Sequence, residues 1–143
     1  VPWETYSFGI QMAEVAVEVK TGKVNALKIT SAHDLGTVIN RLNVEGQLHG
    51  GICMGLGYAL TEEFIYNKTD NFAKLKIPRA KDVPEMKVIT LHIPRKKGPF
   101  GASGTAEYAD VPTAPAIANA IYNACGVRIR DLPITPEKIK QSL

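Results

Sequence analysis

The chain has 143 residues, of which 45% are hydrophobic and 22% charged, with a net charge of +3. That is an ordinary globular composition with length for one domain spanning residues 1–143, and folding would remove about two-thirds of its unfolded surface from water. The small, scattered charge excludes a nucleic-acid or membrane-surface partner, and no apolar stretch is continuous enough for a spanning segment.

Val1-Pro2-Trp3 has no initiator Met and runs almost directly into a strand, as in a piece of a longer polypeptide or a processed subunit. Met12 to Lys20 alternates apolar and polar residues, with Val15, Val17 and Val19 facing one way, which predicts a half-buried strand. Thr21-Gly22-Lys23 reads as a tight turn, and Val24 to Thr30 alternates again, so the two segments pair as an antiparallel hairpin. The second strand is expected to end near Ser31-Ala32-His33-Asp34-Leu35-Gly36, where small and polar residues take over.

A long helix is predicted from about Val44 to about Tyr66, since Leu48, Ile52, Leu56, Leu60 and Phe64 recur every four residues. It carries Gly46, Gly50, Gly51, Gly55 and Gly57. Each should cost about 1 kcal/mol against alanine, so close packing from two directions is expected to offset them. Gln47 falls in the first turn of that helix, where its carboxamide serves either as a solvent-facing or capping group or as a reader of a polar heterocycle. No GxGxxG pattern is present, and Glu45, His49, Glu62 and Glu63 argue against a membrane helix dimer.

Phe72 to Asp82 reads as extended and irregular, and Met86 to Ile93 as a third strand. The run Pro94-Arg95-Lys96-Lys97-Gly98 reads as a solvated turn. Pro112 to Ala124 predicts a second helix with Thr113 as N-cap and Gly126 as the stop. A short edge strand over Val127 to Leu132 and a short helix from Pro136 complete the chain. Cys53 and Cys125 have no metal-ligand or CxxC spacing and read as buried thiols in a reducing, cytoplasmic compartment; the three histidines make no zinc pattern. The fold class is therefore α+β: an antiparallel sheet in β-β-α-β-α order, packed against the Gly-rich helix and a second helix.

Between the third strand and second helix lies GPFGASGTAEYADVPT, Gly98 to Thr113. Its glycines suit positive φ and close approach to a ligand, and successive exposed amides in such a turn can cradle anionic oxygens. Glu107 follows directly, where a carboxylate base could stand at the mouth of a site. A plain loop entering a helix accounts for the same composition. A P-loop does not, because no lysine follows Gly104.

Several blocks together carry a resemblance. They are AEVAVEVKTGKV, AHDLGTVIN, VEGQLHGGICMGLGYALTEE, LKIPRAKDVPEM and GPFGASGTAEYADVPTAPAIANAIYNACGVRIRDLPITPEKI. From about Ala13 onward the sequence resembles the C-terminal part of the molybdenum-binding subunit of the xanthine dehydrogenase and aldehyde oxidase family. The resemblance implies a molybdenum–molybdopterin cofactor, with iron–sulfur clusters on another domain or subunit, a flavin subunit in some members, and the rest of the molybdenum-binding subunit as partner. It implies Gln47 as a cofactor hydrogen-bonding residue and Ala102, Ser103, Gly104, Thr105 and Ala106 as the backbone segment beside the cofactor. It implies Glu107 as the catalytic carboxylate. This group takes a proton from the metal-bound hydroxyl as an electron-poor carbon of an aldehyde or purine-like N-heterocycle is hydroxylated. Many relatives read Gly-Val-Gly-Glu at this point; here Ala106 precedes the acid and Tyr108 follows it, a departure that can alter the substrate pocket and leaves the substrate class open. The same resemblance is compatible with a non-catalytic assembly module that keeps the family fold.

Overall fold

A computed structural model describes residues 6–143. The Val1-Pro2-Trp3 segment lies outside the described residues. Strand β1 (Phe8–Glu18) and strand β2 (Lys23–Asp34) form the expected antiparallel hairpin, pairing from Phe8↔Asp34 to Glu18↔Lys23. Gly22 at φ 76° closes the turn, where a Cβ would run into the Pro136 carbonyl.

Strand β2 runs to Asp34, inside the stretch where its end is expected. Ile29, Ser31 and His33 point inward in succession and are all fully buried. The period of two continues, but its inward face turns polar, which hides the strand from a hydrophobic pattern. Ser31 and His33 satisfy part of that polarity by bonding to each other through Oγ and Nε2.

Helix α1 (Arg41–Leu60) starts and stops earlier than its periodicity suggests. The Asn40 side chain accepts from the Asn43 amide at 3.0 Å, a cap that fixes the start. At the other end the amides of Thr61 and Glu62 both use the Gly57 carbonyl, and the Thr61 hydroxyl donates to Lys76 O at 2.8 Å, which turns the chain away. Gln47 therefore sits in the second turn, not the first.

The segment after α1 is not extended throughout. It holds a one-turn helix α2 (Phe72–Leu75), capped by Asn71, and a 3-10 turn Ala80–Asp82. Strand β3 (Glu85–Leu91) then pairs with β2 in parallel, Lys28↔Glu85 to Asp34↔Leu91, so the sheet is mixed and not wholly antiparallel. Parallel neighbours need a crossover, and α1 with its flanking loops provides it.

Helix α3 (Thr113–Cys125) ends at Gly126 with φ 75°, as expected. Its N-cap is Pro112, not Thr113. The Thr113 hydroxyl instead lies 2.7 Å from Gln11 Oε1 and 3.2 Å from Ala109 O. Val127 to Leu132 forms no strand, although Val127 is buried and the nearby Ile134 amide donates to Ala59 O at 2.7 Å. Helix α4 (Pro136–Ser142) closes the chain, capped by Thr135. Cys53 and Cys125 are half-buried, not buried; burial pushes the Cys53 thiol above its ordinary range. No helix among the described residues is long and apolar enough to cross a membrane.

The main core joins Ile29 of the sheet, Ile52, Leu56 and Ala59 of α1, Ile117 and Ile121 of α3, and Ile134 and Ile139 near the C-terminus. A smaller cluster of Leu35, Leu48 and Ala109, with Tyr108 against it, lies beneath the turn that carries Glu107. Ile117 is fully buried. Ile117→Val removes one methylene and is expected to cost about 0.5–1.5 kcal/mol, read from the urea unfolding midpoint.

The glycines of α1 divide into two groups. A Cβ on Gly51 would stand 2.8 Å from Ala109 Cβ, and one on Gly55 2.5 Å from Thr113 Cβ. Gly46 and Gly50 meet nothing within 4 Å. A Cβ on Gly57 would meet the Glu62 carboxylate and stand 2.7 Å from Pro78 Cδ, so close approach comes from the α3 side and from the segment after α1, while Gly46 and Gly50 face open space among the described residues.

Candidate active site

The Gly-rich turn is held from several sides. Its shape requires positive φ at Gly98 (97°), Phe100 (53°) and Gly101 (75°). The amides of Gly101, Ala102 and Ser103 donate to the carbonyls of Gly98, Pro99 and Leu35. The Gly101 carbonyl accepts from both Thr37 N and Arg95 N. Gly36, at the end of β2, bridges to Ala102, and a Cβ there would strike the Gly101 carbonyl.

From Gly104 onward the backbone is different. The amides of Gly104, Thr105 and Ala106 meet no acceptor among the described residues, and a Cβ on Gly104 would face open space. Two of the three carbonyls are tied instead. Ser7 Oγ donates to Gly104 O at 3.0 Å, and Gln47 Nε2 donates to Ala106 O at 3.0 Å. Ala106 has a negative φ, −48°, so the side chain is accommodated without a glycine.

Glu107 opens the 3-10 turn Glu107–Ala109. Glu107 is exposed, whereas Ala109 is fully buried and Tyr108 lies half-buried against the smaller core cluster. Gln11 Nε2 fixes the end of this turn by donating to Ala109 O at 2.7 Å. The turn thus presents its carboxylate outward because its next two side chains are anchored inward.

Tyr108 turns inward. Its ring meets the His33 ring edge-on at 5.0 Å between centroids, and its hydroxyl is buried. The bulky ring is drawn to apolar neighbours that its position beside Glu107 does not reveal. Burial, and secondly the Asp34 carboxylate, push its phenol well above the ordinary range. His33 Nδ1 and the Tyr108 hydroxyl meet no partner among the described residues.

Burial also pushes the His33 imidazole below its ordinary value of 6.5. The fold therefore carries neutral His33, while the unfolded chain binds a proton below about pH 6.5. The stability tied to His33 is fully present above that pH and is lost as pH falls towards the lowered folded value. Urea midpoints are expected to drop between pH 7.5 and 5 in the wild type, and to drop less in His33→Gln.

Arg95 departs from the solvated-turn expectation for its basic run. Its side chain is only 16% exposed and its NH1 lies 2.9 Å from Asp34 Oδ2, itself 13% exposed. Burial pushes the Asp34 carboxyl up, but the Gly36 amide and the Arg95 guanidinium outweigh it and hold the group below the usual range. Tertiary contact, which a local charge count does not register, removes this arginine from water.

Gln47 and Glu107 are thus brought to one open face: the Gln47 carboxamide bonds the carbonyl of the residue preceding the carboxylate. Ala102 and Ser103 lie in the framework of the turn, with their amides engaged. Ser7, Gln11, Asp34 and Arg95 support the turn, and nothing local in the sequence marks them: their side-chain partners lie 61 or more positions away, apart from that of Arg95 within its own turn and of Asp34 at Gly36. A cleft of about 840 Å³ lined by Val24, Leu56, Leu60, Pro78 and Ile134 lies towards the opposite end of β2 and includes neither Gln47 nor Glu107.

The sequence model of the molybdopterin cofactor-binding domain matches residues 1–84, more than half of the chain, including β1, β2 and α1 with Gln47. The chain belongs to this family. Aldehyde oxidoreductase of Megalodesulfovibrio gigas is 40% identical over 99% of this molybdopterin cofactor-binding chain and 16% of its own length. The putative xanthine dehydrogenase molybdenum-binding subunit XdhA of Escherichia coli is 34% identical over 93% of the chain and 18% of its own length. The crystal structure of the aldehyde oxidoreductase from Desulfovibrio desulfuricans superposes with a TM-score of 0.91 at 42% identity, over 96% of this chain and 15% of that one. The chain thus spans roughly one-sixth of the length of the relatives it matches.

The donor set suits a molybdopterin group. Three successive amides at 104–106 without an acceptor among the described residues, open space at Gly104 and the remaining N–H and oxygen of Gln47 offer hydrogen bonds to a polar, anionic heterocycle. Among the described residues no group of three or more His, Cys, Asp or Glu side chains could hold a bare metal ion. Among the described residues this face therefore has backbone and carboxamide donors and no side-chain cage for a metal ion.

Proposed function

We propose that residues 1–143 form a single domain-sized portion of a molybdopterin-dependent hydroxylase, contributing the base Glu107 and one wall of the cofactor pocket. The observation that supports this reading is the Gln47 Nε2 bond to Ala106 O, which holds the Gln47 carboxamide at the residue before an exposed carboxylate. Molybdenum–molybdopterin, when bound, supplies the two-electron oxidant for an aldehyde or purine-like N-heterocycle. Gly104, Thr105 and Ala106 would hold the group through their amides, and Gln47 through the half of its carboxamide not spent on Ala106. Glu107 receives the proton released during hydroxylation, and needs only hydrogen-bond reach to it. Backbone donors suit this task because they are already oriented before the ligand arrives. Ala102 and Ser103 shape the turn that brings those donors to the cofactor.

The remaining length of the molybdenum-binding subunit, and iron–sulfur and flavin partners, complete the enzyme in this reading, in the cytoplasm. The family match, the relatives' names and the amides of 104–106 support it. A full-length Glu107→Gln enzyme tests it: molybdenum and pterin content should match wild type while turnover falls by orders of magnitude. Unchanged turnover would instead favour the assembly-module reading.

A further inference from the structure

The Arg95 guanidinium makes more contacts than an ion pair requires. NH1 pairs with Asp34 Oδ2 at 2.9 Å. Nε donates to Ser103 Oγ at 3.2 Å, inside the Gly-rich turn. NH2 donates to Asp34 O at 3.3 Å and to Tyr6 O at 3.0 Å, and the group lies 5.9 Å from the Phe8 ring centroid. Its backbone amide adds the bond to Gly101 O at 2.9 Å. One side chain therefore joins the end of β2, the approach to β1 and the turn. Asp34 is itself fixed, since its Oδ1 accepts from the Gly36 amide at 3.1 Å.

Resting on the functional reading above, we propose that Arg95 is a positioning residue for the Glu107 carboxylate, riveting the Gly-rich turn to the end of β2 through Ser103 and Asp34. Beyond Ser103 the amides of 104–106 meet no acceptor among the described residues, so the course of the segment depends on where the turn is anchored. Carbonyl bonds from Ser7 and Gln47 hold it from the other side. A catalytic group displaced by an ångström can lose about a hundredfold in rate, so loosening one anchor reaches the chemistry without touching substrate. Only the planar fork of arginine serves several acceptors at fixed angles; a lysine in its place keeps the pairing with Asp34 but cannot also hold Ser103.

The test compares full-length wild type, Arg95→Met, Arg95→Lys, Ser103→Ala and Glu107→Gln. The first readout is backbone hydrogen exchange, which does not depend on turnover. In Arg95→Met, the bonded amides of Gly101, Ala102 and Ser103 are expected to exchange at least about tenfold faster, with peptides of α3 unchanged. Unchanged exchange in the turn overturns the proposal, and so does a rise spread equally over α3, which marks a general stability role. The second readout is benzaldehyde or hypoxanthine oxidation per bound molybdenum. Arg95→Met should lower kcat about 10- to 100-fold with KM within about twofold, and Arg95→Lys and Ser103→Ala should fall between it and wild type. A loss confined to KM, or to metal content, overturns the proposal. If Glu107→Gln keeps full turnover the functional reading fails; if it is inactive while Arg95→Met has wild-type exchange and kcat, only the assignment of Arg95 fails.

Discussion

Glu107→Gln in the molybdenum-loaded, full-length enzyme is expected to lower kcat by about 10²–10⁴-fold, the usual share of a positioned acid–base group. The substitution is nearly isosteric on an exposed side chain, so it should not disturb the fold. The inward anchors, Tyr108 and Ala109, remain in place, as does the Gln11 bond to Ala109 O. What changes is proton capacity: an amide can occupy the same space and accept a hydrogen bond, but cannot take up the released proton near neutral pH. The comparison must be made per bound molybdenum, with KM reported beside kcat. A residue acting only in the transition state lowers kcat and kcat/KM together. A drop in KM affinity alone would mean that Glu107 binds substrate and another group carries the proton.

The second large effect concerns the fold. Gly55→Val is expected to destabilise the chain by about 3 kcal/mol or more, at or above the upper end of ordinary overpacking. A Cβ at this position would lie 2.5 Å from Thr113 Cβ, 2.8 Å from its Oγ1 and 2.9 Å from the Asp110 carbonyl. Backbone at that last distance cannot swing aside, and Thr113 is bonded to both Gln11 and Ala109. Relief would require α1 to move off α3, carrying the support of the Glu107 turn with it. Gly50→Ala is the control. Its Cβ meets nothing within 4 Å, so in this chain it should gain up to about 1 kcal/mol of helix propensity. Urea unfolding of the two variants, at one pH, gives both numbers. A Gly55→Val midpoint equal to wild type would mean that the two helices are not in close contact at this point.

Much of this protein is written locally. The alternation of Val15 and Val17, the Gly22 turn, the four-residue recurrence of Leu48, Ile52 and Leu56, and the Gly126 stop each depend on neighbours along the chain, so the sequence shows the hairpin and both long helices. Gln47, Glu107 and the glycines around them are legible for the same reason, in contiguous blocks. Only the tertiary structure decided which way β3 runs, because parallel or antiparallel pairing depends on where the crossover delivers the strand. It also turned Ser31 and His33 inward, drew Arg95 out of water to meet Asp34, and pointed Tyr108 into the core. Those outcomes join residues far apart in sequence, and the free energy that selects them, burial with hydrogen-bonded partners, exists only once the distant surfaces meet.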